Sequence, residues 1–159
     1  MGTTTFTGPI TAGDVLDTTG STVGSLKNVG FVNMSQTVAV TQATNGSTAG
    51  LYTTTIVIPA NSQITSIRLY VTTAWTGVAS TFNIGTSATA TELAVAATAT
   101  NTGAAIGIVN VDPGTSATRV NNWVDVGTSD VQIFMLSTNT GSGVGWLTVN
   151  YNQAMNLVA

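Results

Sequence analysis

The sequence contains no cysteine and no histidine, and only 6% of its 159 residues are charged. Without those two residue types there is no Ser–His–Asp or Cys–His nucleophile, no zinc site built from its usual ligands, and no thiol redox chemistry. Lysine occurs once, at Lys27, and glutamate once, at Glu92. Three cationic side chains neutralise few phosphates, and a pI near 4.2 has the wrong sign for nucleic acid or an anionic membrane surface. No apolar run approaches the ~18 residues that a membrane-spanning helix needs. The start, Met1-Gly2-Thr3-Thr4-Thr5-Phe6-Thr7, has neither a basic segment nor an apolar one, so the expectation is synthesis in the cytoplasm without a secretory leader. Disorder is excluded from the other side. Mean hydropathy is +0.34 and net charge only −3, the reverse of the composition that keeps chains unfolded.

Threonine fills about one position in five, and with serine, asparagine and glycine it makes up most of the polar remainder. Such a weakly charged surface suits an extracellular structural protein better than a cytosolic enzyme. A virion protein reconciles it with synthesis in the cytoplasm, since particles are assembled inside the host and leave by lysis. Contacts made by such a surface also change little with salt.

Residues 1–29 show no sustained period. Glycine recurs at Gly2, Gly8, Gly13, Gly20 and Gly24, and Pro9 interrupts any regular element. The expectation is an extended N-terminal arm that does not fold on itself. Phe6, Pro9, Ile10, Val15 and Leu16 are its candidate partner-binding residues; plain fraying of a terminus is the competing reading. From Gly30 the pattern changes. Val32, Met34, Val38 and Val40 alternate with Asn33, Ser35, Thr37 and Thr41, the period of a half-buried strand. Further strands are expected at 51–58, 64–75, 81–84, 105–111, 119–126, 131–138 and 146–151. In 64–75, Ile67, Leu69, Val71, Thr73 and Trp75 share one face, and Arg68, Tyr70 and Thr72 the other. Thr89-Ala90-Thr91-Glu92 matches a capping box, which predicts a short helical excursion through Ala97. Eight strands separated by turn signals, with so little helix, predict an all-β chain: a single antiparallel β-sandwich or jelly-roll over 30–159 behind the arm at 1–29.

Candidate chemistry is sparse. Gly141-Ser142-Gly143-Val144-Gly145 resembles a phosphate loop in composition, but a strand follows where a helix is needed, so a hairpin loop is the better reading. Glu92 with Asp125 or Asp130 is the one carboxylate pairing that could serve a glycosidase. Asp112 lies in an Asp-Pro-Gly turn and Asp130 at a strand start, where aspartate has a local backbone role. Asn110 with Asp112 is a thin hint of calcium. The expectation is no enzyme, no cofactor, no resident metal and no catalytic residue. Trp75, Trp123 and Trp146 sit in or beside strands, where large aromatics usually belong to the core. A carbohydrate site would place an aromatic beside asparagine, as in Asn121-Asn122-Trp123 or Asn150-Tyr151-Asn152.

The stretch Ile56-Val57-Ile58-Pro59-Ala60-Asn61-Ser62-Gln63-Ile64, running through Leu69-Tyr70-Val71-Thr72-Thr73-Ala74-Trp75 to Phe82-Asn83-Ile84-Gly85-Thr86, resembles the strand–turn–strand core of small jelly-roll structural proteins of tailed bacteriophages, head decoration (cement) proteins in particular. Thr7-Gly8-Pro9-Ile10 followed by Asp17-Thr18-Thr19-Gly20 resembles their leading arms. The likeness is specific over 51–86 and does not extend to the glycine-rich second half. It implies an eight-stranded jelly-roll, often a homotrimer, seated on the capsid exterior with the major capsid protein as partner and clamping neighbouring capsid subunits. The alternative expectation is a tail or head-fibre domain that binds host surface glycans.

Overall fold

The computed structural model describes residues 15–17, 26–28, 32–42 and 52–153. Nine strands and one helix are defined among them: β1 (Val15–Asp17), β2 (Leu26–Asn28), β3 (Val32–Thr41), β4 (Tyr52–Ile58), β5 (Gln63–Thr73), β6 (Phe82–Gly85), β7 (Gly107–Asn110), α1 (Ala117–Val124), β8 (Val131–Ser137) and β9 (Val144–Gln153). β3, β9, β5 and β7 form a four-stranded sheet in that order, and β4, β8 and β6 a three-stranded one. Every pairing is antiparallel. The chain is an all-β sandwich.

The chain alternates between sheets as it goes from β3 to β6, and the late strands β8 and β9 insert between earlier ones. Among the described residues the second sheet has three strands against four in the first. Two isolated antiparallel bridges, Thr81 to Thr102 and Ile84 to Ala94, lie beside β6. The sandwich has seven strands where eight were expected, because the stretch expected as a strand at 119–126 is helical.

Period-2 alternation places the core. In β5, Ile67, Leu69 and Val71 are buried while Arg68, Tyr70 and Thr72 are exposed, as the sequence parity predicts. Thr73 departs from that parity because a register shift lies between Val71 and Thr73. In β9, Leu147, Val149 and Tyr151 point inward. From the opposite sheet come Ile56 and Ile58 of β4, Phe82 and Ile84 of β6, and Ile133 and Met135 of β8, all in one shared cluster. On one side of the sandwich, Gln36 links the two edge strands. Its Nε2 donates to the Val57 carbonyl at 2.7 Å and to the Tyr151 hydroxyl at 2.6 Å, and its Oε1 accepts from the Val57 N–H at 3.2 Å. One amide thus satisfies backbone groups that an open sheet edge would leave unpaired.

Two sequence expectations are corrected. The strand expected at 119–126 is the helix α1. Val120, Trp123 and Val124 recur at the i, i+3, i+4 spacing of a helix, and the β-branched valines pointed the other way. The helix expected after Thr89 is absent. Glu92 does not reach back to cap a backbone N–H at Thr89; its Oε1 instead accepts from the Thr89 hydroxyl at 3.1 Å, and Leu93 and Ala94 hydrogen-bond to Ile84. Within the segment expected to be an extended arm, β1 and β2 pair with each other, Val15 opposite Asn28 and Leu16 opposite Lys27. Phe6, Pro9 and Ile10 lie outside the described residues.

Candidate functional site

The carboxylates of the sandwich each accept from backbone N–H groups. Asp112 accepts from the Gly114 N–H at 2.7 Å, Asp125 from Gly127 at 2.9 Å and Asp130 from Ala60 at 2.9 Å. Glu92 is the most heavily engaged. It accepts from the backbone N–H groups of Thr86 at 3.0 Å and Thr91 at 3.1 Å, and from the hydroxyls of Ser87 and Thr89. Burial pushes its carboxyl up, but these donors outweigh burial and hold it below the usual value of 4.5. The pairing of Glu92 with Asp125 or Asp130 is thus one between groups already engaged elsewhere. No cluster of three or more acidic side chains that could hold a metal ion occurs among the described residues. At the Asn110–Asp112 pair suggested for calcium, the Asp112 carboxylate serves the turn at Gly114.

The aromatics divide differently from expectation. Trp75 is core: it is 3% exposed, lies edge-on to Phe82 with ring centroids 5.5 Å apart, and is flanked by Gly103 and Gly143. A Cβ on Gly103 would stand 2.6 Å from the indole, so glycine there is required by close approach. Trp123 is half-buried against the core, and its Nε1 donates to the Leu93 carbonyl at 3.0 Å. Tyr151 is 3% exposed, with its hydroxyl bound by Gln36. Of the two aromatics suggested for a carbohydrate site, Tyr151 is therefore core and Trp123 packs against it. Trp146, expected in the core, is 47% exposed. The reason is parity: Leu147, Val149 and Tyr151 occupy the inner face of β9, which sends Trp146 outward.

That outward position puts an aromatic side chain on the outer face of the larger sheet. The register aligns Ala39, Trp146, Tyr70 and Ile108 across all four strands of the larger sheet. Tyr70 is 50% and Ile108 66% exposed. The adjoining row is Thr37, Thr148, Arg68 and Asn110, and the next sets Ser35 opposite Asn150. Between these rows lies a shallow depression of about 350 Å³ lined by Ser35, Arg68, Tyr70, Ile108, Thr148 and Asn150. Its polar groups are pre-oriented. The hydroxyls of Thr37 and Thr148 are 2.9 Å apart, and Asn150 Nδ2 donates to the Ser66 hydroxyl at 2.8 Å. The Arg68 guanidinium has no hydrogen bond or ion pair among the described residues, whereas Arg119 donates through Nε to the Pro113 carbonyl at 2.6 Å.

A second concavity of about 390 Å³ is lined by Thr100, Thr102 and the stretch from Ala104 to Asn110, which includes the edge strand β7. It meets the first at Ile108.

Sequence reasoning placed Tyr70 and Arg68 on one face of β5 but did not join them to Trp146. The signal was present in the alternation of Leu147, Val149 and Tyr151. Of the arm residues, Val15 and Leu16 lie in the β1–β2 pair. No family model, no curated protein and no solved structure matches the chain.

Proposed function

We propose that the protein is a structural, non-catalytic virion component: a decoration (cement) protein that binds the outside of a phage head and bridges copies of the major capsid protein. The observation that carries this reading is the use of the sandwich's chemistry-bearing side chains. Asp112, Asp125, Asp130 and Glu92 are all held by backbone N–H groups, so they brace loops instead of converging on a cleft. A jelly-roll that uses its polar side chains in this way is a rigid body suited to being placed on a lattice. Residues 1–29 are the proposed capsid-binding arm, with assembly as a homotrimer on the capsid exterior after synthesis in the host cytoplasm. Binding only the assembled lattice shifts the assembly equilibrium toward it, and contact with several subunits makes modest single-site affinity durable.

The test is the copy number relative to the major capsid protein in purified particles. A simple fixed ratio is the expected result, and a handful of copies per particle, or none, overturns the cement reading. One observation favours a second reading, a tail or head-fibre domain that binds host glycans: the exposed Trp146–Tyr70 pair beside Asn150, Thr148 and Arg68.

A further inference from the structure

We propose that the outer face of the four-stranded sheet is a binding site for an acidic sugar, a uronic or sialic acid residue within an anionic glycan. The inference rests on the glycan-binding reading and adds to it the class of sugar and the residues that select it.

Three features of the face converge on that ligand. First, Tyr70 and Trp146 are directly opposed on neighbouring strands, each about half exposed, which places two aromatic side chains on one surface. Opposed side chains on one face of a sheet have Cβ atoms only ~5 Å apart. Such a platform matches the apolar C–H face of a pyranose. Second, the depression beside it is lined with hydroxyl and amide groups, from Ser35, Thr148 and Asn150, of the kind that bind sugar hydroxyls. Third, the chain has only three cationic side chains, and one of them, Arg68, stands in this depression with no partner among the described residues. A planar guanidinium recognises a carboxylate through two parallel hydrogen bonds. In a protein of net charge −3, an unpaired arginine between an aromatic platform and polar groups selects an anion that also carries an apolar face.

Size is also compatible with a sugar. The depression of about 350 Å³ is within the ~300–1,000 Å³ of small-ligand sites.

The experiment titrates the full-length protein with an oligosaccharide of glucuronic acid and N-acetylglucosamine, with a sialylated oligosaccharide, and with neutral chito-oligosaccharide of the same length. Tryptophan fluorescence is the readout, checked by calorimetry. Trp75 is buried and Trp123 half-buried, so the change expected on binding arises at Trp146 and is lost in Trp146→Phe. At least one acidic probe is expected to bind at least tenfold more tightly than the neutral one. Arg68→Gln should lower that affinity about tenfold and abolish its salt dependence. Tyr70→Ala should weaken acidic and neutral probes alike. All three substitutions are at exposed or half-exposed positions, and an unchanged melting temperature separates lost binding from lost folding. Equal affinity for acidic and neutral probes, still dependent on Trp146 and Tyr70, overturns the acidic-sugar proposal while leaving glycan binding standing. No binding of any probe, or binding that ignores all three substitutions, overturns the site itself. Capsid attachment lost through the same substitutions, without sugar binding, reassigns the face to a protein partner.

Discussion

The four-stranded sheet is built on strands of ten, eleven and ten residues, with only β7 as short as four, whereas the three-stranded sheet has strands of seven, seven and four. Long ladders hold the first. β9 pairs along almost its whole length with β3 on one side and β5 on the other. Among the described residues the second sheet ends at β6, and the loops beyond it are fastened by side chains acting on backbone. Asn101, fully buried, donates to the carbonyls of Val95 and Asp112 and accepts from the Asp112 N–H, each at 3.0 Å. Asn83 accepts from the Ala96 N–H at 2.5 Å, Asn122 donates to the Glu92 carbonyl at 3.0 Å, and Glu92 gathers the loop from Thr86 to Thr91. Gln42 does the same where β3 ends, bound to Thr76 N–H and carbonyl at 2.8 and 2.6 Å. Regular ladders tolerate sequence change as long as face and volume are kept. Clamps of this second kind depend on the identity of one polar residue, because its removal leaves buried backbone groups unsatisfied.

The contrast yields a ranked set of expectations, each measurable by denaturant unfolding of purified variants. Leu147→Ala, at the centre of the long ladder, should cost about 4 kcal/mol through lost burial and the cavity left behind. Gly143→Ala should cost about 3 kcal/mol, since the new Cβ would meet the Trp75 indole and stand 2.8 Å from the Trp75 Cα. Asn101→Leu tests the clamp account itself. A loss of about 2 kcal/mol is expected, and a change no larger than that of a surface substitution would remove the distinction between the two sheets.

A smaller effect is expected on acidification. The Glu92 carboxyl is held below 4.5 in the folded protein, so its stabilising contribution is complete above that value and disappears as pH falls through the lower folded value. The melting temperature of the wild type should therefore drop more steeply below pH 4.5 than that of Glu92→Gln. The smallest change should come from Ala90→Gly. Ala90 is fully buried with φ of +51°, a left-handed conformation that glycine adopts without strain. Relief of that strain is offset by the lost methyl and a freer unfolded chain, leaving a net change within about 0.5 kcal/mol.

The same contrast explains how much was legible in advance. The strands of the larger sheet could be read because alternation in β5 and β9 is a local property, fixed by which residues stand two apart. Tyr70 and Arg68 were legible as one outward face for that reason. The region from Thr86 to Thr102 was not. Its conformation depends on Asn101 meeting Asp112 and on Asn122 and Trp123 meeting Glu92 and Leu93, contacts between residues up to 30 apart in the chain. A capping-box pattern at Thr89 misled because Glu92 has stronger demands from Thr86 and Ser87. Valines at 120 and 124 misled because their preference for strand is weak beside the packing of Trp123 on the core.

By itself, then, the sequence determined that the chain forms an all-β sandwich, which side chains alternate in and out along its clearest strands, and which turns close them. Those are consequences of side-chain period, β-branching and turn chemistry, all of which act within a few residues. Long-range packing sets the rest: β9 lies between β3 and β5, β6 is joined by two isolated bridges to the chain that follows it, and Trp146, Tyr70 and Arg68 share one exposed face. Strand order and register are settled by burying one common core from both sheets at once. No local stretch of sequence contains that requirement.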